Sequence, residues 1–155
     1  ICFIDADTIL ANNYLSKIYN SYKKYQWESA TVDFEHDRNY PETTELINEY
    51  ENFLKETSKK ISESGSPYNY VPLGSTMISR FTSYIAVGGM NRKKAAEDFY
   101  FLQELEKYGS VHKINDILVS PSSRYLNRTY LGTSTRLKKC MDGELNMKSF
   151  YIIRF

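Results

Sequence analysis

An excess of charge of either sign is missing from this sequence. Twenty Lys and Arg stand against 19 Asp and Glu, for a net charge of +1. Nucleic acid and anionic membrane surfaces are therefore not its default partners, because no basic field is present to hold either. Histidine and cysteine are scarce too. His36 and His112, the only two histidines, sit in no ligand spacing, which argues against a zinc hydrolase. Cys2 and Cys140 lie far apart and form no CxxC motif. They read as reduced, buried thiols of a cytoplasmic protein, with a single disulfide as the alternative. No run approaches the ~20 apolar residues of a membrane span, so no transmembrane segment or signal peptide is expected. Aliphatic side chains are also few. Tyr alone contributes 14 of the 155 residues, so the core is expected to be built partly from Tyr, whose hydroxyls need partners or water.

What is present fits one α/β domain. Ile1-Cys2-Phe3-Ile4 is an apolar run closed by carboxylates, the pattern of a strand covered on both faces. Such a strand needs neighbours on each side, so the chain is expected to be a fragment cut just before a central strand. Leu15, Ile18, Tyr19 and Tyr22 predict a helix over 12–26, with an Asn ahead of it as cap. Residues 28–34 read as a strand. A longer helix over 42–62 places Leu46, Ile47, Tyr50, Phe53, Leu54 and Ile61 on one face and stops at Gly65 and Pro67. A short strand over 74–79, a turn of helix over 81–87, a helix over 95–108 stopped by Gly109 and a strand over 110–120 follow. From Pro121 onward the chain reads as a basic loop. The fold class is thus α/β, a mixed sheet with flanking helices and Ile1–Ile4 at its centre.

Two carboxylate pairs carry the candidate chemistry. Asp5-Ala6-Asp7 directly follows the first strand, and ligand crevices of α/β sheets lie beyond the carboxyl ends of strands. Two acids one residue apart in a turn can face one hard cation, Mg²⁺ or Mn²⁺, which keeps waters and bridges to substrate phosphates. The plainer reading is a solvated turn with an Asp capping the next helix. Glu97-Asp98 opens the helix over 95–108, where the helix dipole alone favours acids. Gly88-Gly89 upstream supplies a close-approach loop. Phe99-Tyr100-Phe101 downstream supplies aromatic surface that can stack on a sugar or desolvate a carboxylate. Arg124, Arg128, Arg136, Lys138 and Lys139 are either solvated surface or, beside a metal site, a clamp for a diphosphate.

The order FIDADTILANNYL (3–15), LGSTMISR (73–80), YIAVGGMN (84–91), AAEDFYFLQELEKYG (95–109), SPSSR (120–124) and NRTYLGTSTR (127–136) resembles the family 2 glycosyltransferases of the GT-A fold. The resemblance covers nearly the whole chain. It implies the C-terminal part of a catalytic domain, a partial GT-A fold beginning at its DxD motif. It also implies transfer of a sugar from a nucleotide-diphospho-sugar donor to a carbohydrate or lipid-linked acceptor, inverting and dependent on Mn²⁺ or Mg²⁺. Asp5 and Asp7 would be the DxD acids, with Asp7 the direct metal ligand, and Asp98 the general base. Glu97 would orient that base or touch the acceptor. Gly88 and Gly89 would let backbone approach the donor or acceptor, and Arg124 or Arg128 would neutralise the departing diphosphate. The strands that build the family's nucleoside site are absent, and Gly132-Thr133-Ser134 stands where a fuller Gly-Thr-Gly is expected. The fragment is accordingly expected to bind metal weakly or not at all by itself. It is also expected to dimerise through its unpaired first strand or to cover that edge with Phe150–Ile153.

Two other readings stay open. One is a truncated domain with a binding or structural role only. The other is a haloacid-dehalogenase-type phosphohydrolase, whose strand-DxDxT opening ICFIDADTIL resembles. There Thr8 directly follows Asp7 and Ile9 occupies the threonine's place, so the spacing is one residue off.

Overall fold

The computed structural model describes residues 1–90, 96–124 and 133–144. Four strands form one mixed sheet: β1 (Ile9–Leu10), β2 (Ser29–Phe34), β3 (Met77–Ser79) and β4 (Val111–Ser120), in the spatial order β1-β4-β2-β3. β2 and β4 are parallel, while β3 is antiparallel to β2 and β1 antiparallel to β4. Ile1–Phe3 lies outside β3 and antiparallel to it. Cys2 bridges Ile78, the Phe3 amide donates to the Met77 carbonyl at 3.0 Å, and the Ser79 amide donates to the Ile1 carbonyl at 2.9 Å. Ile1–Phe3, β2 and β4 therefore all run in one direction, and their carboxyl ends share one edge of the sheet.

Among the described residues five α-helices flank the sheet: α1 (Tyr14–Tyr25), α2 (Thr44–Glu63), α3 (Phe81–Ala86), α4 (Glu97–Gly109) and α5 (Thr133–Met141). α1 closes one face, with Tyr14 and Ile18 packed among Ala30, Val32, Ile78 and Ile114. α4 closes the other, with Phe101, Leu102 and Leu105 packed on Met77 and Phe3. The stripe read on α2 and Phe101, Leu102 and Leu105 of α4 face the core, but the stripe read on α1 is only half right: Ile18 is buried and Tyr22 half-buried, whereas Leu15 and Tyr19 are exposed and Tyr14 is buried in their place. Gly65 sits just past α2 at φ +78°, the left-handed position that glycine adopts without strain. Part of the core is tyrosine: Tyr14, Tyr50 and Tyr70 are all buried, and the Tyr14 and Tyr70 hydroxyls find no partner among the described residues.

Three expectations need correction. Ile1–Ile4 is not central. It has one hydrogen-bonded neighbour among the described residues, and Ile1 and Ile4 are 46% and 43% exposed. An apolar run carries no information on which edge it occupies, and continuous hydrophobicity fits a strand that covers an apolar groove as well as one buried in the middle. That groove, about 570 Å³, lies between Ile1–Cys2, α1 and the start of α3. Second, the tail is not all loop, because residues 133–141 form α5, whose Leu137 is fully buried. Its many polar residues hid a stripe only one residue wide. Third, residues 9–10 pair with β4 instead of leading straight into α1. The Asn13 cap of α1 is positional only, since its side chain makes no capping hydrogen bond. Phe150–Ile153, expected to cover the sheet edge, lies outside the described residues.

Candidate active site

The topology brings the sequence's scattered acids to one place. Ile1–Phe3 occupies one edge of the sheet and Ile9–Leu10 pairs at the other, so the Asp5-Ala6-Asp7 turn carries the chain across the carboxyl ends between them. The turn is closed by the Thr8 amide donating to the Asp5 carbonyl at 3.1 Å.

Asp5 is fixed by strand pairing and the turn beyond it. Cys2 lies opposite Ile78 and Phe3 opposite Met77, and beyond them Gly74–Thr76 turns in a 3-10 helix that brings the Ser75 side chain against Asp5. The Ser75 hydroxyl donates to Asp5 Oδ2 at 2.8 Å, and the Asp5 amide donates back to Ser75 Oγ at 3.2 Å. Thr8 Oγ1 lies 2.7 Å from the same hydroxyl. Beneath Asp5 is Gly74, where a Cβ would stand 3.3 Å from Asp5 Oδ2, so a side chain at 74 would press on the carboxylate. Asp5 itself is exposed.

Asp7 is half-buried and ion-paired with Arg124. Arg124 comes from the segment after β4. That segment is pinned by Asp37, just beyond β2, whose Oδ1 accepts from the Ser123 hydroxyl at 2.7 Å and the Ser123 amide at 3.2 Å. Burial works against the Asp37 charge, but the donors from Ser123 and Asn39 prevail and hold its carboxyl below the usual range. Asp37 and Ser123 escaped the sequence reading, because nothing local marks an Asp that works by receiving a hydroxyl 86 residues away.

Asp98 arrives through packing. Phe101 meets Phe3 edge-on at 5.1 Å between ring centroids. One helical turn before Phe101 is Asp98, and shortly after Phe3 is Asp5, so the contact that buries α4 also sets the two acids near each other. Burial raises the Asp98 carboxyl above its ordinary value, and the charges of Glu97 and Asp5 push in the same direction. The Phe99 amide, donating to Asp98 Oδ1 at 2.7 Å, opposes them without cancelling them. Ala96, just before the helix, is held at φ +59°, a left-handed conformation that costs a residue with a Cβ roughly 1–2 kcal/mol. Glu97 is half-buried beside Asp98.

Tyr50 of α2 and α5 wall the site from a direction the sequence did not signal. The buried Tyr50 hydroxyl is raised by burial, feels the Asp98 charge, and is hydrogen-bonded by Thr133. The Arg136 guanidinium lies 5.8 Å from the Tyr50 ring centre and 5.9 Å from that of Phe53. Gly88 and Gly89 end α3 at φ +78° and +75°, and a Cβ on Gly89 would meet the Tyr84 ring at 3.0 Å. Backbone angle and Tyr84 already account for both glycines. Arg128 lies outside the described residues.

Among the described residues no three His, Cys, Asp or Glu side chains gather closely enough to cage a metal ion by themselves. The oxygen donors of Asp5 and Asp7 do suit a hard cation that takes one or two carboxylates and completes its shell with water and a substrate's phosphates. Compared with family models, curated proteins and solved structures, the chain has no match in any of the three.

Proposed function

We propose that this chain is the metal- and acceptor-binding half of a GT-A glycosyltransferase of family 2, an inverting, metal-dependent enzyme that uses a nucleotide-diphospho-sugar. The observation that carries the reading is the approach of Asp98 to Asp5 at the carboxyl edge of three parallel segments. It joins a carboxyl with raised proton affinity to a two-acid turn suited to a hard cation. A base that takes a hydroxyl proton at neutral pH works best with its pKa moved up toward that pH, and burial moves Asp98 in that direction.

In this reading the acceptor hydroxyl gives its proton to Asp98 as its oxygen bonds to the anomeric carbon. The bond from that carbon to the diphosphate oxygen breaks on the opposite side. Asp5 and Asp7 would hold the Mn²⁺ or Mg²⁺, which would supply charge neutralisation for the leaving diphosphate. Arg124 is paired with Asp7 before substrate arrives, so the guanidinium is already oriented where the departing phosphate needs a cation. Glu97 raises the proton affinity of its neighbour, and in this reading it orients that base or touches the acceptor. The outer edge of Ile1–Phe3, which pairs with no further strand among the described residues, belongs to the same reading, as a place where a further strand or a second copy of the chain adds to the sheet.

The test is made in the intact enzyme with radiolabelled nucleotide-sugars. Asp98→Asn keeps the shape but cannot accept a proton, so kcat should fall ~10²–10⁴-fold with donor affinity nearly unchanged. Asp7→Ala should abolish the Mn²⁺- or Mg²⁺-dependent rate. Full activity in both variants, or transfer from no nucleotide-sugar by the wild type, would leave the domain a binding module.

A further inference from the structure

A second polar cavity, about 170 Å³, shares no residue with the acids described above. It lies between α2 and the β2–β4 ladder, where that ladder is interrupted. Val32 pairs with Ile114 but Asp33 pairs with Ile117, so Asn115 and Asp116 are extra residues on β4. A bulge of this kind withdraws backbone groups from strand pairing and commonly borders a ligand site.

The side chains in the cavity are unbalanced in charge. Lys113 reaches in from β4, and its Nζ donates to Ser58 Oγ at 3.3 Å and to the Asn69 carbonyl. Both partners are neutral, and no carboxylate pairs with Lys113 among the described residues. Lys55, from α2, donates to the Phe34 carbonyl at 3.1 Å and lies 3.4 Å from Asp33 Oδ1. Two ammonium groups thus face one carboxylate. A partly buried charge without a counter-ion is costly, and for Lys113 the cost is visible as a proton affinity lowered by burial. The space is many times the ~10–15 Å³ that one water needs, so an oxyanion fits with part of its hydration.

We propose that this cavity binds a phosphate group, with Lys113 and Lys55 as its cations and with Ser58, whose hydroxyl donates to the Asn69 carbonyl and accepts from Lys113, holding the Lys113 ammonium in place. Lysines serve phosphate as point charges, whereas a site for a planar carboxylate favours the forked donors of Arg. Free inorganic phosphate and a small phosphate ester share this chemistry. The inference does not depend on sugar transfer.

Titration calorimetry of the full chain with inorganic phosphate and, separately, with glycerol 3-phosphate tests the site, with chloride at matched ionic strength as the control. The expected result is saturable binding with a dissociation constant below about 10 mM, weakened about tenfold or more in Lys113→Met. Lys55→Met should weaken it too, and Asp33→Asn should tighten it by removing the competing carboxylate. That gain of binding cannot arise from a failure to fold. Tighter binding of the ester marks an esterified ligand, and tighter binding of phosphate marks the free ion. No saturable binding of either, or equal binding in wild type, Lys113→Met and Asp33→Asn, overturns the proposal.

Discussion

Two acids at the same end of the sheet have opposite fates. Glu51 of α2 is buried, yet its carboxylate is fully served. The His36 amide donates to Oε1 at 2.6 Å, His36 Nδ1 lies 2.9 Å from the same oxygen, and Arg38 reaches Oε2 at 3.2 Å. Burial alone would raise its pKa, but these donors outweigh burial and hold it down to about 2. Asp98 is half-buried with only the backbone amides of Phe99 and of its own residue as donors and two carboxylates near enough to repel it, and burial above all raises its pKa. Burial acts in the same direction on both groups, so the partners decide the sign. A satisfied carboxylate stabilises the fold, and a poorly satisfied one is a proton acceptor held ready.

Removing the Glu51 carboxylate should break this contrast most severely. Glu51→Ala leaves the His36 amide without its acceptor and Arg38 with only the His36 and Asp37 carbonyls, Asn48 and Glu35, and loss of one partner of a buried pair typically costs ~3–5 kcal/mol. Chemical denaturation measures it, and a loss below about 1 kcal/mol would mean that solvent replaces the carboxylate. The same group sets an acid limb. Its folded pKa lies below its ordinary 4.5, so its contribution is complete above about pH 4.5 and is lost as pH falls toward about 2. Glu51→Gln should flatten stability across that window.

A smaller effect of opposite sign is expected at Asp98. Its raised pKa means that the folded state disfavours the charge, a destabilisation that grows as pH rises above the unfolded value of 3.8 and is complete above the folded one. Asp98→Asn should therefore raise Tm at pH 7 and lose that advantage below about pH 3.8. An unchanged or lowered Tm at neutral pH would show that Asp98 is as well satisfied as Glu51. The smallest effect belongs to an exposed pair. Lys59 and Glu63, 3.9 Å apart on the outside of α2, should contribute no more than ~0.5 kcal/mol, so Lys59→Ala sets the floor for the comparison. A larger loss there would show that charge pairs stabilise this chain irrespective of burial.

Much of this was legible in the residues. The stripe on α2 marked its buried face, because a 3.6-residue period is a local property, whereas on α1 packing chose Tyr14 and Ile18 and left Leu15 and Tyr19 exposed. The Asp5-Ala6-Asp7 turn and the Glu97-Asp98 helix start were equally visible, since acids flanked by an apolar strand or by aromatics stand out in one dimension. The Glu51–His36–Arg38 network was not visible. His36 has no ligand spacing, and Glu51 follows Tyr50 as an ordinary helical acid, so neither reveals that the other is its partner. Arg124 was read as one member of a basic tail, and only Asp37 and Ser123 fix it against Asp7.

The sequence by itself determined the α/β class, the order of the elements from α1 to β4 and the two acid pairs, but not β1 or α5, because periodicity, turn residues and local charge act within a few residues. The tertiary structure alone decided that Ile1–Phe3 lies at an edge, that Asp5 faces Ser75, that Arg124 meets Asp7, and that Asp98 stands near Asp5. Each of these depends on strand register or on one ring contact between segments about 70 to 120 residues apart. Hydrogen bonds and packing across such distances are chosen by the fold as a whole, because any single strand offers the same backbone groups to every possible neighbour.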